Sequence, residues 1–279
     1  MTIDSHHHFW RYNDAEYGWM NHPGMERIRR DFLPADLLAQ TRAAGVDGVV
    51  SVQARQTLEE TDALLAFAEQ HDFIRGVVGW VPLVSLSVET NLAGYAARAK
   101  LKGVRHVLHD EADDDYMLRD DFDRGVSALR AAGELRYDIL IFERHLPQSI
   151  RLVDRHPNQV FIVDHVAKPK IKAGVLSPWR ENIRELGRRQ NVYCKISGMV
   201  TEADWNAWTP EQLRPYVDVV LEAFGPRRVM FGSDWPVCLV ACDYGRWVRT
   251  VQDFIAPLSV TEQSRIMGAT AIEAYRLDD

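Results

Sequence analysis

Residues 34–81 read PADLLAQTRAAGVDGVVSVQARQTLEETDALLAFAEQHDFIRGVVGWV. Two amphipathic stretches, 34–44 and 59–70, enclose a β-branched run at 46–52, and a second such run follows at 74–81. The joints from helix to strand, Ala44-Gly45-Val46 and His71-Asp72-Phe73, are short and carry turn chemistry. Strand, helix and strand in that order predict a parallel βαβ unit.

The same alternation extends in both directions. Further strand signals fall at 2–3, 103–108, 137–142, 160–163, 192–196 and 228–231, and helical patterns at 89–99, 122–132, 147–155, 178–189 and 210–224. Eight strands, each followed by a helix, is the count of a closed α/β architecture, the (β/α)8 TIM barrel. No internal repeat, low-complexity tract or linker interrupts it, so residues 1–279 are expected to form one domain. Helix-to-strand joints are short throughout, whereas strand-to-helix links are long: 9–31, 110–120, 166–177, 197–209 and 232–244. Barrel enzymes build their sites from the loops after the strands, so this asymmetry places the chemistry at the C-terminal face.

Composition narrows the class. With 279 residues, 46% of them hydrophobic, the chain can bury a core without disulfides or a structural metal. A net charge of −7 offers no basic surface for nucleic acid or anionic lipid. No apolar run reaches the roughly 18 residues of a membrane span. Three cysteines, Cys194, Cys238 and Cys242, are too few for a disulfide framework. The opening Met-Thr-Ile-Asp-Ser-His lacks a signal-peptide pattern, and a cytoplasmic location is expected.

Three segments can carry chemistry. In Ile3-Asp4-Ser5-His6-His7-His8, strand alternation turns His6 and His8 to one side and His7 to the other. At a strand end, that sets two imidazoles over the barrel mouth, able to hold a divalent metal or donate to a substrate oxygen. His165, in Val163-Asp164-His165-Val166-Ala167-Lys168-Pro169, ends the sixth strand on the same face. Asp234, in Met230-Phe231-Gly232-Ser233-Asp234-Trp235-Pro236, ends the eighth. Strand eight closes against strand one, which brings Asp234 beside His6 and His8, where a carboxylate can activate water as a general base. The competing readings are a core histidine for His165 and a helix N-cap for Asp234.

Together with Gly103-Val104-Arg105-His106, Arg144-His145-Leu146-Pro147 and Lys195-Ile196-Ser197-Gly198, these segments resemble the sugar-lactone hydrolases of the amidohydrolase superfamily, from the first strand to the last. The pyrone-dicarboxylate lactonases are less closely similar. The resemblance implies an amidohydrolase-like barrel that opens an aldonolactone, of the L-fucose or L-galactose type, to its aldonate in carbohydrate metabolism. It also implies Asp234 as the base acting on water and His165 as its catalytic companion. Binuclear members carry a carbamylated lysine or a glutamate on strand four and a histidine on strand five. Here those strands offer Arg105-His106 and Ile139-Leu140-Ile141-Phe142-Glu143, which speaks against a two-metal site. His6, His8 and Asp234 can still hold one divalent ion, with zinc favoured by the nitrogen ligands, and related lactonases work without one.

Arg105, Lys168 and Lys195 are the mouth cations expected to contact substrate, although alternation leaves open whether Arg105 or His106 faces inward. Trp10, Trp19, Trp205, Trp208 and Trp235 all fall in the long loops. Trp10 and Trp235 are expected to stack on the C–H face of a sugar. The expected partner is therefore a small sugar lactone, with neither nucleic acid nor membrane. The rivals are a single-metal decarboxylase on the same barrel and a catalytically dead barrel that only binds.

Overall fold

The computed structural model describes residues 1–278. Eight parallel strands pair in chain order: β1 Ile3–His7, β2 Gly48–Val52, β3 Ile74–Gly79, β4 Leu101–Val107, β5 Arg136–Leu140, β6 Phe161–Val163, β7 Val192–Ile196 and β8 Val229–Phe231. The barrel closes at its C-terminal end, where His7 bridges Trp235, the Asp234 amide donates to the His6 carbonyl (2.8 Å) and the His8 amide to that of Trp235 (2.7 Å). The first seven strands are each followed by a helix: α1 Pro34–Ala44, α2 Leu58–Gln70, α3 Val88–Gly94, α4 Asp120–Ala131, α5 Leu146–Arg155, α6 Trp179–Gly187 and α7 Pro210–Phe224.

Local chemistry sets these boundaries. Pro34 opens α1, where the missing N–H costs nothing, and Gly45 ends it with φ +69°, a left-handed value natural to glycine. The Thr57 side chain accepts from the Glu60 amide to start α2. β3 stops at Gly79 rather than at 81 because the Thr61 hydroxyl takes both the amide and the carbonyl of Trp80, at 2.8 Å each. α3 stops at Gly94, short of the expected 99, and the chain continues in tight turns, with Tyr95 N–H bonded to Leu92 O and Arg98 N–H to Tyr95 O.

After β8 come α8 Tyr244–Ile255, capped by Asp243, then α9 Val260–Ser264 and α10 Thr270–Tyr275. Sequence reading placed the start of α8 at the end of the 232–244 link, but located neither α9 nor α10. α10 closes the N-terminal end of the barrel, where Tyr275 packs with Ile3, Val50, Val52, Ile162 and Met230. The helices bury a larger apolar layer against the outward faces of the strands. Between the apolar plug and the open C-terminal end lies a belt of buried charge: Arg105, Asp138, Asp164 and Lys195. Among the described residues, no helix is long and apolar enough to cross a membrane.

Candidate active site

His6 and His8 project to the same side at the end of β1, their Nε2 atoms 3.2 Å apart, while His7 turns outward to the Ser51 hydroxyl at 2.9 Å. Asp234 Oδ1 lies 3.4 Å from His8 Nε2 and 3.9 Å from both His6 Nε2 and His165 Nε2. The four side chains predicted to converge are thus brought together. Asp4 secures the arrangement from behind. One of its oxygens accepts from the Ser233 amide (2.8 Å) and the His6 amide (3.1 Å), and the other accepts from Tyr244 Oη (3.1 Å).

Asp234 and His165 both adopt left-handed backbone conformations, φ +58° and +54°. Such geometry costs an L-residue about 1–3 kcal/mol and persists where the surroundings impose it. For His165, Gly198 is part of that surrounding. Gly198 has φ +60°, and a Cβ there would sit 2.5 Å from His165 Nδ1. Gly198→Ala should therefore push the imidazole off its Ser197 hydroxyl partner, now 2.9 Å away. A displacement of this order is expected to lower kcat about 10–100-fold with the barrel still folded, measured by steady-state kinetics beside circular dichroism.

The electrostatics separate the groups by role. Burial holds the His6 imidazole well below its ordinary value, reinforced by the Lys195 charge and His165 and opposed by Asp164. Burial likewise brings His165 down to about 4, so it is neutral at pH 7. Burial would raise the Asp234 carboxyl, but His165, His8 and the Lys168 ammonium outweigh it and keep Asp234 below the usual carboxylate range. The carboxylate is ionised and ready to accept a proton, though weakly basic.

A cleft of about 710 Å³ opens above these groups. His8, Arg105, His165, Lys168 and Asp234 form its polar floor and side. Trp19, His109 and Asp110 line it as well, and Ala54, Val107, Leu140 and Val237 supply apolar wall. Arg105 faces inward, within 3.3 Å of His6 Nε2 and 2.9 Å of Asp164 Oδ2. His106 points away, to Glu111 (2.6 Å), with its ring stacked on Tyr116. Lys168 is braced by Glu202 at 2.9 Å.

Three expected substrate contacts lie elsewhere. Lys195 is not at the mouth: it is fully buried beneath His6, bound to Asp138 and Asp164. Trp10 and Trp235 are buried too. The Trp10 indole donates to the Arg30 carbonyl (2.9 Å), and both rings pack edge-on against Phe32, anchoring the first loop. Trp19, 41% exposed, is the loop tryptophan that reaches the cleft. His109, Asp110 and Asp164 had no role in the sequence reading. The Asp164-His165 pair was visible there, but not that the aspartate, one residue before the histidine, points down the barrel.

The atoms His6 Nε2, His8 Nε2 and Asp234 Oδ1 fit a single metal ion. Zinc–ligand bonds of about 2.0–2.1 Å in tetrahedral geometry put ligand atoms about 3.3–3.4 Å apart, close to the spacing here. His8 Nδ1 donates to the Val52 carbonyl at 2.8 Å, which leaves the Nε2 lone pair free to face the cleft. A second grouping, His6, Asp164 and His165, fits poorly, because Arg105 and Lys195 already occupy the Asp164 carboxylate at 2.9 Å each.

Comparison with known proteins adds four findings. A family model described as amidohydrolase matches residues 3–277. The chain is 40% identical over 290 residues to an L-fucono-1,5-lactonase of Burkholderia multivorans, covering 100% of this chain and 97% of that one. It is 36% identical to an L-fucono-1,5-lactonase of Burkholderia ambifaria, covering 100% and 96%. Among solved structures, a Burkholderia multivorans amidohydrolase with bound zinc superposes with a TM-score of 0.96 at 40% identity, each chain fully covered.

Proposed function

Because this chain belongs to the amidohydrolase family, we propose that its cleft hydrolyses a sugar lactone, an L-fucono-1,5-lactone-type ring, to the open aldonate. The sequence kinship to two lactonases along the whole chain supports the reaction class. The observation that carries the choice of an uncharged, polyhydroxylated ring is the charge pattern of the cleft. Two cations, Arg105 and Lys168, line it together with two carboxylates, Asp110 and Asp234. A planar dicarboxylate would call for paired arginine forks and would here meet Asp110 instead. Trp19 offers an indole face for sugar C–H groups, while His109 and Asp110 offer hydrogen bonds to hydroxyls.

In the proposed mechanism Asp234 takes a proton from the attacking water, and the oxygen–carbon bond forms at the lactone carbonyl. The carbonyl–ring oxygen bond then breaks, and Asp234 returns the proton to the leaving alkoxide. A base of low pKa is weak, so the carbonyl must be strongly polarised. Arg105 and Lys168 both line the cleft and are the groups to bear the charge that develops on oxygen. His165, neutral and held through Nδ1 by Ser197, stands 3.9 Å from Asp234 with its Nε2 free to donate to an oxygen of the substrate. His6, His8 and Asp234 are the residues that would hold zinc, which when bound would supply Lewis acidity. We read residues 1–279 as one catalytic domain, and place it in the cytoplasm, where three buried thiols suit a reducing medium.

The test is incubation with L-fucono-1,5-lactone, following acid release by a pH indicator and product by mass. Gain of one water without carbon dioxide is expected, and carbon dioxide release from an aromatic acid instead would favour the decarboxylase alternative. The metal reading has its own measurement. Zinc titration of chelated protein should saturate at one ion per chain, and His8→Ala should weaken binding at least about tenfold. Saturation at two ions would overturn it.

A further inference from the structure

Trp19 is the indole that the cleft offers to a ring, yet little of the protein covers it. Its ring meets that of Trp10 edge-on, 6.0 Å from centre to centre. The place of the indole therefore depends on the turn that carries it, Gly18–Asn21 in the long loop after β1. Two residues just before this turn, Glu16 and Tyr17, are gripped from a different loop. Arg55, between β2 and α2, sets Nη1 2.5 Å from the Glu16 carboxylate and its guanidinium carbon 5.6 Å from the centre of the Tyr17 ring.

Arg55 is itself held from below by Glu60, a buried residue on the first turn of α2. One Glu60 oxygen accepts from the amides of Ala54 (3.0 Å) and Arg55 (2.6 Å). The other stands 3.8 Å from Arg55 Nε, too far for a hydrogen bond but near enough for charge attraction. Burial pushes the Glu60 carboxyl up to about 7, against the pull of those amides and of the Arg55 charge. The buried Tyr17 phenol faces the same carboxylate, and burial reinforced by the Glu60 charge raises it above its ordinary value. Ala54, whose amide Glu60 fixes, lines the cleft. One clamp thus spans the cleft wall at Ala54 and the turn that presents Trp19.

We propose that Arg55 is a positioning residue for substrate binding, tying the Trp19 turn to the loop after β2 so that the indole stays over the cleft to meet a sugar ring. The proposal rests on the lactonase reading of the cleft. Neither contact of Arg55 is strong alone, since Glu16 is half exposed and a single cation over a ring contributes little. They act on adjacent residues, however, and on a turn whose other bonds are made within the first loop. The Met20 amide donates to the Tyr17 carbonyl (2.9 Å), and Arg29 Nε to the Met20 carbonyl (2.9 Å). Those bonds keep the shape of the turn, and Arg55 joins that shape to its neighbour. Trp19 touches none of the reacting groups, so a loosened turn should weaken binding and leave the chemical step alone.

The experiment uses the full chain labelled with fluorotryptophan, whose eight fluorine signals include one for Trp19, assigned with Trp19→Phe. In Arg55→Met, which keeps the aliphatic stem, the Trp19 signal should shift and broaden while those of the buried Trp179 and Trp247 hold. In parallel, KM for L-fucono-1,5-lactone should rise about fivefold with kcat within about twofold. Made in a Trp19→Ala chain, Arg55→Met should change kcat/KM less than about twofold, because its effect runs through the indole. Glu16→Gln leaves the buried Glu60 untouched and should move the Trp19 signal in the same sense if Arg55→Met folds poorly. An unmoved Trp19 signal with wild-type KM in a folded Arg55→Met protein would overturn the proposal, as would a fully additive loss in the Trp19→Ala chain. If the wild-type chain opens no lactone, the reading of the cleft fails, while the fluorine signal still decides whether Arg55 places Trp19.

Discussion

Asp234→Asn should lower kcat for lactone opening by roughly 10²–10⁴-fold, the usual share of a positioned general base. The amide keeps the size of the carboxylate, and its NH2 can donate to the His8 Nε2 lone pair, 3.4 Å from Oδ1, so the site should keep its shape. It cannot accept a proton from water. The backbone at 234 is held by its amide bond to the His6 carbonyl, and asparagine tolerates left-handed φ as readily as aspartate. Stability should therefore barely change. Matched thermal melts and single-turnover kinetics check both halves, and a folded variant retaining a tenth of the wild-type kcat would remove Asp234 from the role of base.

The largest loss of stability should come from Lys195→Met. Lys195 lies between Asp138 and Asp164 with no solvent access at any of the three. Burial pushes the Asp138 carboxyl up to about 6 even with the ammonium against it. Methionine fills the space but leaves two buried carboxylates sharing only Arg105 and Tyr275. Removing one member of a buried ion pair typically costs about 3–5 kcal/mol. Urea unfolding should show a loss of that size. Adding Asp138→Asn in the same chain should recover part of it, because one uncompensated charge then disappears. A loss below about 1 kcal/mol would mean that the belt is far better solvated than its burial indicates.

How much of this was legible in the sequence depended on the scale of the question. The alternation around 34–81 carried the barrel, because period-two strands and amphipathic helices leave different apolar patterns. The convergence of His6, His8, His165 and Asp234 was legible too, since strand ends in a closed barrel share one face. Depth along the barrel axis was not. Lys195 and Arg105 both face inward near strand ends, yet one lies beneath the site and the other lines it. Strand tilt and stagger decide that height, and neither is written in the local pattern. The loop tryptophans failed for a related reason. An indole reads the same whether it stacks on substrate or on Phe32, so Trp10 and Trp235 could not be told from Trp19. The short helices α9 and α10 lacked a repeating strand partner to mark them, and with them went Tyr275.

The most direct test of the account is a comparison of kcat/KM for three rings on the wild-type protein: L-fucono-1,5-lactone, 2-pyrone-4,6-dicarboxylate and an unsubstituted aliphatic δ-lactone. The cleft, lined by Asp110 and Trp19 as well as Arg105 and Lys168, predicts that the sugar lactone leads both others by at least about tenfold, roughly 1.4 kcal/mol of transition-state discrimination. Equal or faster opening of the dicarboxylate or the aliphatic ring would contradict it.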